Sequence, residues 1–115
     1  MDYRNQLNKI NESHFLISMT PVDGILEIGL FSGMNNSSTV LDLCCGYGEM
    51  LKIWNEAFGI QGIGIDICSE FIQKGRKRLV EHGITDVTLI ESDIFKWDSN
   101  ERYDYVCLSG EEFGG

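Results

Sequence analysis

The chain has 115 residues, of which 43% are hydrophobic and 23% are charged, a composition typical of one soluble globular domain. Its formal net charge of −9 repels phosphate backbones and argues against a nucleic-acid partner. No apolar run approaches the roughly 18 residues of a membrane helix, and the N-terminus carries no secretory signal. We therefore expect a cytoplasmic protein with no membrane partner.

The first 36 residues are predicted to form a helical lead. Four apolar residues recur there at near-helical spacing: Leu7, Ile10, Phe15 and Leu16. This spacing predicts one amphipathic helix over residues 1 to about 18. Pro21 interrupts the pattern, and a second short helix is expected from Val22 to Phe31. The turn-forming residues 32–38 mark the join to the core, which we assign to residues 37–115.

In the core, short apolar runs alternate with amphipathic helical patterns. The predicted strands are Thr39–Leu43, Gly62–Asp66, Val87–Ile90 and Tyr103–Leu108. One predicted helix runs from Glu49 to Phe58 and ends at Gly59. The other begins at Ser69, a residue type suited to capping, and runs to about His82, where Gly83 closes it. Its inward face is predicted to contain Phe71, Ile72, Gly75, Leu79 and Val80. This alternation predicts right-handed βαβ units and a parallel sheet, which is an α/β fold.

Polar residues and glycines follow the predicted strands. In an open parallel sheet, ligands bind beyond the carboxyl ends of the strands. After the first core strand, Gly46 and Gly48 let a ligand approach the backbone, and the next helix offers free N–H groups. Asp66 ends the second strand twenty residues after Gly46, the spacing at which an acid meets a ribose hydroxyl pair. Asp93 follows the third strand, where a carboxylate could accept from an exocyclic amino group.

Two ligand classes use this arrangement. Dinucleotide-binding domains have a third glycine where this chain has Leu51. Asp42 would also place a negative charge next to a pyrophosphate. Both features favour a ligand with an ammonium and a sulfonium, so a nicotinamide-dependent oxidoreductase is the weaker interpretation.

The stretch Val40–Gly48 resembles the first motif of the class I S-adenosylmethionine-dependent methyltransferases. Gly62–Ile67 resembles their second motif, Glu91–Ile94 their third, and Tyr103–Ser109 their fourth strand. The four matches occur in the family's order and cover about residues 37–110. The resemblance implies a Rossmann-like three-layer sandwich that binds S-adenosylmethionine and releases S-adenosylhomocysteine.

The resemblance also implies roles for the residues of the first motif. The backbone from Cys44 through Gly46 to Gly48, with Asp42 nearby, would hold the methionine end of the donor. Cys44 stands where the family usually has glycine, so the loop is expected to be slightly less open.

The later motifs would hold the rest of the donor. Asp66 would accept hydrogen bonds from the ribose hydroxyls, and Ile67 would pack on the adenine. Asp93 would accept from the adenine amino group, with the Ile94 backbone beside it. At the end of the fourth strand, Leu108 and Ser109 would line the floor beneath the transferred methyl group.

The acceptor is less well defined by the sequence. Residues 109–113 read Ser-Gly-Glu-Glu-Phe and lack the Asn/Asp/Ser-Pro-Pro-aromatic signature of enzymes that methylate amino groups of nucleic acid or glutamine. Together with the acidic charge, this favours a small-molecule acceptor. No general base is assigned, and His14 is interpreted as an ordinary histidine. The alternative is a non-catalytic domain that binds S-adenosylmethionine as a fragment or scaffold.

Two further expectations concern the cysteines and the sheet edge. The four cysteines form no C-x-x-C pair and have no histidine at ligand spacing, which predicts buried thiols rather than a metal site. Family members continue through three more strands, so we expect a fragment truncated after the fourth strand. Its apolar edge at 105–108 is then expected to be covered by another chain, through self-association.

Overall fold

The computed structural model describes residues 15–17, as backbone, and residues 22–108. Five strands form one sheet: β1 (Phe15–Ile17), β2 (Thr39–Leu43), β3 (Gln61–Asp66), β4 (Val87–Glu91) and β5 (Tyr105–Leu108). Three helices follow the first three strands: α1 (Val22–Ser32), α2 (Glu49–Phe58) and α3 (Ser69–Glu81). None of these three helices is long and apolar enough to cross a membrane.

The strand order reverses at β2. All paired strands are parallel, and the order across the sheet is β1-β5-β2-β3-β4. From β2 the chain continues to β3 and β4 on one side and returns to β5 on the other. Leu43, the last residue of β2, pairs in register with Ile65 and with Leu108. The predicted Rossmann-like α/β fold is confirmed, and its reversal lies between the carboxyl ends of β2 and β5.

The two faces of the sheet are covered differently. All three helices pack on one face, where Ile25 of α1, Trp54 of α2 and Leu79 of α3 join one core cluster. On the other face, Ile94 and Tyr103 pack against residues of the sheet. Within the described part of the chain, the connection between β4 and β5 therefore forms the layer on that face, without a helix.

Two of the three residues predicted to end or cap a helix do so in the structure. Gly59 has φ 77° and donates its N–H to the Asn55 carbonyl at 2.8 Å, so it closes α2 as predicted. Gly83, with φ 68°, follows α3 as predicted. The capping role predicted for Ser69 is wrong, because Cys68 is the N-cap residue and Ser69 is the first residue of the helix. The Ser69 hydroxyl instead accepts from Gln73 Nε2.

The prediction that Val80 faces inward on α3 is also wrong. Val80 is 78% exposed. The buried residues of α3 are Ile72, Gly75 and Leu79, which follow the i, i+3, i+7 spacing of a single helix face. Val80 lies one position beyond that face and points to solvent.

In the N-terminal lead, the helix predicted from Val22 to Phe31 is confirmed by α1, but the helix predicted across residues 15–17 is wrong, and so is the open sheet edge. Residues 15–17, expected to be helical, form β1 and pair with Val106–Leu108. Strand β5 is therefore flanked by β1 and β2 of the same chain, so its edge is not open to a second copy. Helical spacing misled the prediction because the pairing partner of β1 lies near the other end of the sequence. Residues 1–14, including His14, lie outside the described residues, and the domain boundary at residues 36 and 37 stays a prediction.

Candidate functional site

Three loops meet at Asp66, at the carboxyl edge of the sheet. Its Oδ2 accepts from the Gly46 N–H at 2.8 Å, in the loop after β2. Its Oδ1 accepts from the Cys68 N–H at 2.8 Å, in the loop after β3. Its main-chain carbonyl accepts from the Ser92 N–H at 3.0 Å, just after β4. Asp66 is only 2% exposed, so the loops that carry three of the four predicted motifs converge on one buried residue, two of them through its carboxylate.

The glycine-rich loop, residues 44–48, has a left-handed φ at every second residue. Cys44 has φ 63°, Gly46 59° and Gly48 78°. A Cβ on Gly46 would meet nothing within 4 Å, so the space beside this residue is open to a ligand. Gly48 is the N-cap of α2 and no side chain caps the helix there, which leaves first-turn N–H groups for an anion.

Cys44 is strained by this conformation. Among the described residues it is the one non-glycine residue with a positive φ. A left-handed conformation costs an L-residue about 1–2 kcal/mol. The structure thus gives a physical reason for glycine at this position, and Cys44 occupies it at an energetic cost.

Helix α3 packs closely on the same loop. A Cβ on Gly75 would collide with the carbonyl oxygen of Tyr47, so only glycine lets the helix come this near. The Tyr47 ring packs on Phe71 with centroids 4.6 Å apart, and Lys74 Nζ lies 5.9 Å from the Tyr47 centroid. Tyr47 was not among the predicted site residues, although its place between two glycines was a usable signal.

Asp42 lies behind the loop, within the sheet. It is fully buried and lies opposite Cys107 in the pairing of β2 with β5. Burial, followed by the charge of Asp42, raises the pKa of the Cys107 thiol well above its usual value. Burial and the charges of Asp42 and Asp66 likewise raise the pKa of Cys45. Both thiols are therefore neutral and serve as packing groups.

The cysteine prediction is confirmed only in part. All four thiols are free, and Cys45 and Cys107 are buried. Cys44 and Cys68, which lie in the loops after β2 and β3, are only half-buried. Among the residues that the structure describes, no group of three or more His, Cys, Asp and Glu side chains could hold a metal ion.

The remaining predicted residues lie in the loops after β3 and β4. Ile67 is 70% exposed, which is unusual for a large aliphatic side chain and leaves it free to cover a ligand. Asp93 is half-buried, and its Oδ1 accepts from the Phe95 N–H at 2.9 Å. Ile94 is buried against the sheet, whereas Phe95 is 45% exposed. Phe95, an exposed aromatic residue two positions after Asp93, was not among the predicted site residues.

Of the two residues predicted to line the floor beneath the methyl group, the structure describes only Leu108. Leu108 ends β5 beside Leu43, at the strand-order reversal, and is half-buried. Ser109 lies outside the described residues. The structure thus brings together the loops carrying Gly46, Asp66 and Asp93, and their contact with a ligand stays a prediction.

A separate cleft opens on the side of the sheet opposite the carboxyl ends of the strands. It has a volume of about 340 Å³ and is lined by Thr39, Gln61 and Asp86, among others. Thr39 and Gln61 begin β2 and β3, so this cleft lies at the amino ends of the strands. The convergent loops described above lie at the carboxyl ends and are a different site.

The sequence and the fold match known proteins. A family model described as "Methyltransferase domain" matches residues 40–114. A crystal structure of an S-adenosylmethionine-dependent methyltransferase from Geobacter sulfurreducens, in complex with S-adenosyl-L-homocysteine, is 31% identical. That match covers 84% of this chain and 39% of the other, with a TM-score of 0.72.

Two curated relatives have names that specify different acceptors. Demethylmenaquinone methyltransferase of Shouchella clausii is 31% identical over 75 residues, which are 62% of this chain and 32% of the relative. The tRNA (guanine(10)-N2)-dimethyltransferase of Methanothermobacter thermautotrophicus is 32% identical over 89 residues, 77% of this chain and 26% of the relative. The chain spans about a third or less of the length of the curated relatives that it matches.

Proposed function

Because the chain belongs to the methyltransferase-domain family, we propose that it binds S-adenosylmethionine at the carboxyl edge of its sheet. We further propose that the whole protein transfers the methyl group to a small-molecule acceptor. The observation that carries the proposal is the convergence of the glycine-rich loop and the loop after β4 on Asp66. Further support comes from the similar Geobacter protein, which was crystallised with S-adenosyl-L-homocysteine.

The glycine-rich loop is the proposed site for the methionine end of the donor. The open space beside Gly46 fits a ligand that approaches the backbone. The uncapped first turn of α2 fits a carboxylate, because its N–H groups carry partial positive charge. Asp42 and the backbone of Cys44 and Gly48 complete this part of the proposed site.

The nucleoside end is proposed to lie across the loops after β3 and β4. Asp66 would accept hydrogen bonds from the ribose hydroxyls. A carboxylate has about four acceptor lone pairs, and the two backbone hydrogen bonds leave the others available. The exposed Ile67 side chain would pack on the adenine. Asp93 would accept from the adenine amino group, with the Ile94 backbone beside it and Ser109 near the methyl group.

The bound donor would supply an activated methyl group, since its sulfonium sulfur leaves as a neutral thioether. The acceptor atom forms the new bond to the methyl carbon as the carbon–sulfur bond breaks. The protein's task is to hold the acceptor, carbon and sulfur in line, which is catalysis by proximity and orientation. A base is needed only where the acceptor must first lose a proton.

The proposal of a small-molecule acceptor is supported by charge. The net charge of −9 disfavours a polyanionic acceptor such as tRNA. We also propose a cytoplasmic location, which is supported by four free thiols because thiols stay reduced in that compartment. The alternative function is binding of the donor without catalysis.

Calorimetric titration of this chain with S-adenosylhomocysteine and, separately, with NAD tests the donor site. We expect heat of binding with the first ligand alone. Binding of NAD in preference to S-adenosylhomocysteine would contradict the proposal.

A turnover assay of the whole protein with methyl-labelled S-adenosylmethionine then tests the acceptor. Label in the small-molecule fraction of a cell extract is the expected result, and label in RNA would overturn the proposed acceptor class. Donor binding with no turnover on any fraction would favour the binding-only alternative.

A further inference from the structure

We propose that Asp66 is a positioning residue for the glycine-rich loop in addition to its proposed contact with the donor. This inference rests on the function proposed above. The Asp66 carboxylate bridges two loops, with Oδ2 accepting from Gly46 N–H and Oδ1 from Cys68 N–H, each at 2.8 Å. Both bonds join groups of the protein itself, so the carboxylate connects the two loops through contacts that involve no ligand.

Burial makes the hydrogen bond between Asp66 and Gly46 costly to lose. Asp66 is 2% exposed, and Gly46 is buried as well. Hydrogen bonds to an ionised carboxylate are roughly twice as strong as neutral ones. A buried N–H group that loses its acceptor carries an energetic penalty, because water cannot easily replace that acceptor.

Two hydrogen bonds tie the glycine-rich loop to β3. The Cys45 N–H donates to the Ile65 carbonyl at 2.9 Å, and the Gly46 N–H donates to Asp66 Oδ2. The first joins backbone to backbone and continues the sheet. The second depends on a side chain, so a substitution at Asp66 removes it and leaves the backbone of β3 intact.

The positioning role and the ligand contact are compatible. A carboxylate can accept about four hydrogen bonds, and the backbone uses two of them. The remaining lone pairs are sufficient for a sugar diol. Asp66 would then act on both ends of the donor: directly on the nucleoside, and through the glycine-rich loop on the methionine end.

Amide hydrogen exchange in the ligand-free protein tests the positioning role by itself. In Asp66→Ala, we expect the Gly46 and Cys68 amides to exchange about tenfold faster or more, because each loses a charge-assisted bond. Asp66→Asn keeps the side-chain size but has a single carbonyl oxygen, so one of the two amides must lose its acceptor. This variant provides the test if Asp66→Ala folds poorly. Rates are compared after correction for the free energy of unfolding, measured by tryptophan fluorescence.

Ligand truncation tests the coupling to the loop. S-Adenosylhomocysteine contains the amino-acid end, whereas 5′-methylthioadenosine has the nucleoside and sulfur without it. If Asp66 positions the loop, Asp66→Asn lowers affinity for the first ligand severalfold more than for the second. If Asp66 only contacts ribose, both affinities fall by the same factor.

Asp93→Asn is the matched control. Its carboxylate accepts from the Phe95 N–H and lies in the loop after β4. We expect this variant to lower the affinities for both ligands equally and to leave the Gly46 exchange rate unchanged.

Unchanged exchange at both Gly46 and Cys68 in the Asp66 variants would overturn the positioning role, as would equal loss of affinity for the two ligands. Failure of the unsubstituted chain to bind either ligand would overturn the proposed function instead. The exchange experiment needs no ligand, so the two failures are distinguishable.

Discussion

Asp42 and Cys107 lie opposite each other in the parallel pairing of β2 with β5, and both are fully buried. The strand-order reversal thus contains a carboxyl group beside a thiol. Burial first, and the negative charge of Asp42 second, raise the pKa of Cys107. Burial and the charges of Asp42 and Asp66 also raise the pKa of Cys45.

The first prediction concerns thiol reactivity. The thiolate is the reacting form, and each unit by which a pKa rises above the solution pH lowers the thiolate fraction about tenfold. We expect Cys45 and Cys107 to react with iodoacetamide at pH 8 at least about tenfold more slowly than the half-buried Cys44 and Cys68. Peptide mass spectrometry of the native protein measures the four rates. Fast labelling of Cys107 in folded protein would contradict its burial.

The second prediction concerns the contact between α3 and the glycine-rich loop. Gly75→Ala places a Cβ against the Tyr47 carbonyl and Leu89. Overpacking of this kind costs about 1–3 kcal/mol, and the gain in helix propensity offsets about 1 kcal/mol of it. Because the collision is with a backbone carbonyl, the overpacking cost lies in the upper half of that range, and we expect a net loss of about 1–2 kcal/mol in the free energy of unfolding, measured in urea by tryptophan fluorescence.

Lys77→Ala is the matched control for this prediction, because Lys77 is exposed on the same helix. Its effect should stay within about 0.5 kcal/mol. A Gly75→Ala protein as stable as this control would mean that α3 lies farther from the loop than the structure shows.

The third prediction concerns the left-handed residue of the loop. Cys44→Gly removes a backbone strain of about 1–2 kcal/mol and adds about 0.5–1 kcal/mol of chain entropy to the unfolded state. We expect a gain of about 0.5–1 kcal/mol in the free energy of unfolding. Cys44→Val should lower it, because a β-branched residue is poorly tolerated at φ 63°. Equal stability of the two variants would argue against this backbone conformation.

The fourth prediction concerns the exposed side chain of Ile67. Ile67→Ala removes apolar surface proposed to cover the adenine, so affinity for S-adenosylhomocysteine should fall about fivefold, or about 1 kcal/mol. Stability should change little, because this side chain is 70% exposed. Val80→Ala is the control: Val80 is 78% exposed on α3, and its loss should leave affinity unchanged. Similar affinities for both variants would mean that Ile67 does not contact the ligand.

The sequence predicts elements well where one local pattern determines them. Helix α2 begins at Glu49 and ends at Phe58 as predicted, because an apolar face lies between two glycines with left-handed φ. Strand β2 also matches its predicted range, since four of its five residues are apolar or β-branched. The α/β class follows from the repetition of such units.

Long-range pairing explains what the sequence did not predict. Phe15–Ile17 pairs with residues near the far end of the chain, and no local periodicity reports such a partner. The candidate site shows the same limit. The sequence singles out Gly46 and Asp66 separately, but the hydrogen bond between them depends on the register of β2 with β3. Phe95 was missed because its exposure depends on how the connection after β4 packs.

The most direct test of the proposed donor site is a titration of the isotopically labelled chain with S-adenosylhomocysteine, followed by backbone amide chemical shifts. We expect the largest changes at Gly46, Ile67 and Asp93, at the carboxyl edge of the sheet. Gln61 and Asp86, which line the cleft at the opposite edge, should not shift. Changes centred on that cleft, or no changes at saturating ligand, would contradict the account.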